Sequence, residues 1–223
     1  MTLNKSLHLF CLVITIACYI GILNAQENSA KTLWLGATIQ YKIDKKFSVK
    51  NTILHRFRTN VGYLNSFHQP FVNYKINKDH AVGIGYRGTW IDAQDEHWIL
   101  LEYKFNKKLG ENFKLANRFW FQYIIDYNDV EFRDHFRNHL ALHFTKFKKI
   151  QPYVGFEPWF QINGVNEINR IRSLAGINWK IHKQLNFKTE YFRQETFWTD
   201  PNFVQNVLLM TLTATISSKK LIE

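Results

Sequence analysis

The chain has 223 residues, 29 Lys and Arg against 18 Asp and Glu, and a formal charge of +11; 16% of it is aromatic, while mean hydropathy is only -0.29. Both cysteines, Cys11 and Cys18, lie near the amino terminus, so the rest of the chain offers no disulfide, no thiolate metal ligand and no thiol nucleophile. After the first apolar run no stretch is apolar enough for a membrane helix, and the charge favours anionic partners such as lipopolysaccharide, anionic solutes or nucleic acid.

Met1 to Ala25 reads as a cleavable secretory leader. Lys5 precedes an apolar run from Leu9 to Leu23, which ends at Leu23-Asn24-Ala25 before the polar Gln26-Glu27-Asn28. Thr15-Ile16-Ala17-Cys18 loosely resembles a lipobox, but Thr15 stands where Leu is usual and the apolar run continues past Cys18. Removing 25 of 223 residues leaves 198, with 28 basic and 18 acidic side chains. That length suits one domain, 26–223, and export argues against nucleic acid.

From Leu33 onward, apolar and other residues alternate in runs long enough to cross a bilayer as tilted strands. In the first run Leu33, Leu35, Ala37, Ile39, Tyr41 and Ile43 share one face, and Trp34, Gly36, Thr38, Gln40 and Lys42 share the other. The second, Phe47 to Arg58, sets Phe47, Val49, Ile53 and Phe57 outward and Lys50, Thr52, Arg56 and Arg58 inward, with Asn51 and His55 interrupting its outer face. Further runs begin near Phe67, Ala81, His97, Phe113, Phe132, Pro152, Asn169, Leu185 and Phe203.

The breaks alternate in kind. Short polar turns fall at Asp44 to Lys46, Asn77 to Asp79, Asn106 to Gly110, Lys146 to Lys149 and His182 to Gln184. Longer ones fall at Thr59 to Ser66, Ile91 to Glu96, Ile125 to Glu131, Asn163 to Ile168 and Phe197 to Asn202. The expected fold is an all-β, antiparallel, up-and-down transmembrane barrel in the outer membrane of a Gram-negative cell, with the short turns periplasmic. Eleven runs conflict with the even strand numbers of single-chain bacterial barrels. Either one run is miscounted or Gln26 to Lys31 returns through or along the barrel, so ten to twelve strands are expected. Trp90, Trp98, Trp120, Trp159 and Trp179, with their aromatic neighbours, read as interfacial girdles.

The same alternation collects charge on the inner face. Its expected centre is Arg56, Arg58, Glu102, Arg118, Arg133, Arg137, Glu157, Arg170 and Arg172, accompanied by Lys42, Lys75, Arg87, Lys104, Lys114, Lys188 and Glu190. Such a set either ties the strands together inside a filled barrel or lines a narrow anion-attracting passage. His135, His139 and His143 recur at every fourth residue of one strand, about 13 Å apart per step, too far for one metal ion. No metal and no cofactor is expected. Gly83-Ile84-Gly85 lies in a strand, where alternate glycines make room for a bulky neighbour and do not form a phosphate loop.

Catalysis is not expected. Nucleotide-binding and metalloprotease motifs are missing, and only Ser66 with nearby His68 offers a local nucleophile and base for an outer-membrane lipid hydrolase. The remaining alternative is a soluble, calycin-like periplasmic barrel that binds an apolar ligand. It would need Leu33, Ile39, Val82, Ile84, Leu208, Met210 and Leu212 to point inward.

Several short motifs in order carry a family resemblance: Trp34, Arg56-Phe57-Arg58, Gln69 to Tyr74, Val82 to Tyr86, Asn117-Arg118-Phe119, Phe132-Arg133 with Phe136-Arg137, Phe156 to Phe160, and Asn169 to Arg172 leading to Gly176. In these the chain resembles the DUF2490 family of Gram-negative bacteria over nearly all of its length beyond the leader. The resemblance implies an outer-membrane barrel and brings no reaction, ligand or catalytic residue. The end departs from the usual barrel terminus, since Leu208 to Ile216 is followed by Ser217 to Glu223 without a final aromatic.

Overall fold

A computed structural model describes residues 30–91, 95–125, 134–162, 167–197 and 203–218. Its eleven strands are β1 (Ala30–Lys42), β2 (Phe47–Arg58), β3 (Gly62–Lys75), β4 (His80–Ile91), β5 (Glu96–Leu109), β6 (Phe113–Ile125), β7 (His135–Phe144), β8 (Ile150–Gln161), β9 (Ile168–Lys180), β10 (Leu185–Thr196) and β11 (Phe203–Ser217). Each pairs with its neighbours in chain order, and β1 closes on β11. The fold is an all-β, closed up-and-down barrel.

An odd meander sends its first and last strands in the same direction, so the closing pair must be parallel. Ala30 pairs with Gln205 and the ladder runs without a break to Lys42 with Ser217. The eleven alternating runs therefore correspond to eleven strands, and the conflict with even numbering is resolved at this seam. Lys31 belongs to β1, whereas Gln26 to Ser29 lie outside the described residues. Among the described residues closure leaves no sheet edge open to pairing with another chain.

The two rims differ as the turn chemistry dictates. At the β1–β2 turn the Asp44 carboxylate accepts from the backbone N–H of Lys46 at 2.7 Å and of Phe47 at 2.6 Å. Asn77 serves the β3–β4 turn in the same way, accepting from Asp79 at 2.9 Å and His80 at 3.0 Å. On the opposite rim the β2–β3 connection is shorter than expected. Positive φ at Asn60 and Gly62 tightens it, and β3 begins at Gly62 rather than near Phe67. A bulge at Arg56/Phe57 shifts the register there, which masks the alternation from Tyr63 to Ser66. The β5–β6 turn likewise lies beyond Leu109, since β5 continues through Lys107 and Lys108.

Registers place the apolar residues in continuous outer rows. Val49 pairs with Val72, Val72 with Ile84, Ile84 with Leu101, Leu101 with Phe121, Phe121 with Phe136 and Phe136 with Phe160. Across the seam Tyr191, Leu208, Leu33 and Phe57 continue a second row. Ile39 is 58% exposed and Ile84 54%, so these side chains face away from the interior. The inward orientation that a calycin-like barrel requires is not the one adopted.

Candidate functional site

Strand alternation turns every second residue into the barrel, and at mid-height the result is a packed interior. Phe71, Leu100 and Val207 are essentially inaccessible, and Trp34, Trp120, Trp159 and Phe192 are buried beside them. Phe71 fits because Gly83 and Gly85 on β4 face it; a Cβ at either position would overlap its ring.

Glu157 on β8, 2% exposed, is the hub of the charged network. Its Oε1 accepts from Arg137 at 2.6 Å, Arg172 at 3.0 Å and the indole N–H of Trp159 at 2.9 Å. Its Oε2 lies 3.1 Å from His139 Nδ1 and 3.7 Å from Arg118. Four strands, β6 to β9, thus meet on one carboxylate. A buried anion requires this, because an unpaired charge in the interior is costly.

The arginines also lie over aromatic rings. Arg137 sits 3.8 Å from the Trp159 ring centroid, Arg118 lies 4.3 Å from Trp120, and Arg170 is 4.5 Å from Trp159. Arg56 lies 4.2 Å from the centroid of Trp34, and Arg58 lies 5.8 Å from that of Phe203. Guanidinium planes stack on such faces with favourable cation–π energy. Glu102 forms a separate pair with Lys104 and accepts from the Trp120 indole. Of the nine residues singled out by alternation, Arg118, Arg137 and Arg172 gather on Glu157 and Arg170 stacks beside them on Trp159, Glu102 stands apart with Lys104 and Trp120, and Arg56 and Arg58 lie toward the loop rim. Arg133 lies outside the described residues.

Several partners are not visible from alternation. Arg87 donates twice to Gln69, at 3.0 and 2.8 Å, and Arg172 donates to Gln194 at 2.8 Å. Glu190 accepts from Tyr153 at 2.6 Å and Lys188 at 3.0 Å. Trp98, Trp120 and Trp159 face inward and serve the arginines, which corrects their assignment to outer girdles. Trp90 and Trp179 do lie outside, 50% and 49% exposed. Parity was the signal, since Trp120 sits directly opposite Glu102.

The three histidines of β7 have separate surroundings. His135 neighbours Asn169 at 3.2 Å, His139 contacts Glu157, and His143 stacks on Tyr153 at 4.9 Å. The Ser66 and His68 pairing is not the one formed. Ser66 Oγ is 2.5 Å from His55 Nδ1 and accepts from the Tyr63 hydroxyl at 2.7 Å, while His68 stacks on Trp90. This cluster lies on the outer face. Among the described residues no carboxylate or amide side chain hydrogen-bonds His55, so no oriented base is assembled there.

No curated protein matches the chain. The barrel is similar to a solved structure described as the NanC porin in a rhombohedral crystal form, at 9% sequence identity and a TM-score of 0.49, over 70% of this chain and 78% of that one. The family model described as a protein of unknown function, DUF2490, matches residues 31–205, and the chain belongs to that family.

Proposed function

We propose that this protein is a sealed outer-membrane barrel with a structural or accessory role, exported behind a leader, Met1 to Ala25, that is removed. The outer location is supported by the continuous apolar rows on the outside, by strands of 10 to 15 residues, and by the closed sheet. The outer apolar surface meets lipid, lipopolysaccharide included, and the leader directs the 26–223 domain across the inner membrane. The single observation that carries the sealed reading is the mid-height packing of Phe71, Leu100, Trp120, Trp159 and Phe192 around the Glu157 network. Diffusion channels keep an open aqueous lumen, and this interior is occupied by side chains.

The test is conductance in planar bilayers with purified, folded protein. No stepwise current above the lipid baseline is expected at high protein load. Anion-selective steps that diminish in Arg137→Ala would overturn the sealed reading in favour of a narrow basic channel.

A further inference from the structure

The interior between the mid-height plug and the short-turn rim is not filled. A cavity of about 460 Å³ opens there among β1 to β5 and β11, a volume in the range of small-molecule sites. Lys46, Lys50, Lys75, Lys78 and Lys104 line it, with Asp79 the single carboxylate in the wall. Lys104 is already committed to Glu102 and to Asn73 Oδ1. Hydroxyls and amides from Thr38, Gln40, Ser48, Thr52 and Asn73 share the wall, and Asn77, His80, Ala81, Asn106 and Thr213 complete it.

Lys50 is the informative residue. It faces Phe71 across β2 and β3, and its ammonium lies 4.6 Å from that ring's centroid, at the floor of the cavity. The ring occupies that position only because Gly83 and Gly85 carry no Cβ. Among the described residues no hydrogen bond or close ion pair is made by the Lys50 ammonium; the carboxylate that attracts it is Glu102, which is already paired with Lys104. One carboxylate shared between Lys50 and Lys104 leaves the cavity lysines in excess, and an anion from outside the chain balances that charge. Lysine supplies compact point charges suited to phosphate, and the excess of several positive charges favours a dianion over a single carboxylate. The hydroxyl and amide side chains add neutral donors and acceptors at the same depth.

We propose that this cavity is a dead-end binding site for a phosphorylated polyol of sugar size, with Lys50 and Lys75 holding the phosphate. It goes beyond the sealed-barrel reading and does not depend on it, since conductance and binding are measured separately. The probes are glucose 6-phosphate, inorganic phosphate and glucose, titrated calorimetrically into the full mature barrel in a zwitterionic detergent at low salt. Saturable binding of glucose 6-phosphate is expected, weaker binding of phosphate, and none of glucose. Taking away either ammonium, in Lys50→Gln or Lys75→Gln, removes a charge-assisted hydrogen bond and weakens binding about tenfold or more. Lys75→Gln keeps the test intact where the floor substitution fails to fold. Lys148→Gln, at a separate cavity on the same rim, leaves the affinity unchanged. Phosphate binding as tightly as glucose 6-phosphate overturns the polyol part. Loss of saturation, or an affinity in both lysine variants equal to that of the parent, overturns the site.

Discussion

Replacing Glu157 removes the one anion on which Arg137, Arg172, Arg118 and His139 converge. In Glu157→Ala, Arg172 keeps its bond to Gln194 at 2.8 Å, whereas Arg137 retains only a long contact with Gln122 at 3.5 Å and its aromatic neighbours. Both guanidiniums are nearly inaccessible, at 7% and 10% side-chain exposure, so water compensates them poorly. Breaking a buried pair from one side costs about 3–5 kcal/mol, roughly two to three and a half orders of magnitude in the folding equilibrium. Glu157→Gln keeps the volume and the acceptor for Trp159 but loses the charge, and about half of that loss is expected. The assay is urea unfolding of the barrel in lipid vesicles, followed by the heat-modifiable mobility of the folded form. The half-buried Arg193 and Glu195 pair, 2.8 Å apart and more accessible than the Glu157 pairs, is the control, and Glu195→Ala shifts stability by about 1 kcal/mol or less. A Glu157→Ala midpoint no lower than that of the control would refute the idea that this carboxylate holds four strands together.

Gly85→Val forces a side chain into the volume of the Phe71 ring and destabilises the barrel by about 1–3 kcal/mol, as read from the same unfolding curves. Adding Phe71→Leu recovers part of that loss, since residues in contact do not contribute additively. Asp44 is held below its ordinary carboxylate range by the backbone N–H groups of Phe47 and Lys46. A folded-state pKa that is depressed stabilises above the unfolded value and loses that contribution as pH falls through the folded value. Asp44→Ala is therefore less stable than the parent at neutral pH, and the difference shrinks as pH falls through the folded-state value; a gap of unchanged size in acid contradicts the assignment. Parallel closure puts Ala30 and Ser217 on opposite rims. A protease-sensitive tag placed just before Ala30 is cut on intact cells, whereas one after Ser218 is cut only once the outer membrane is permeabilised. The same outcome for both tags would contradict the parallel seam or the membrane placement.

The leader, the alternation and the contrast between short and long breaks together pointed to a barrel, because a period of two with one apolar face has few other closed solutions. Alternation delimited β2 to the residue, Phe47 to Arg58, and set Arg56, Glu102, Arg137 and Glu157 on one face through parity. It faltered where the backbone departs from the period. The bulge at Arg56/Phe57 rephases the entry to β3, and Tyr63 to Ser66 therefore reads as loop. What only the tertiary structure decided is which inward residues meet. Glu157 gathers partners from β6, β7 and β9, and Ser66 finds His55 across a strand pair in place of His68 two residues away. Those contacts depend on the stagger between strands and on the space left by Gly83 and Gly85, which are properties of register and closure, and parity within one strand carries no information about either.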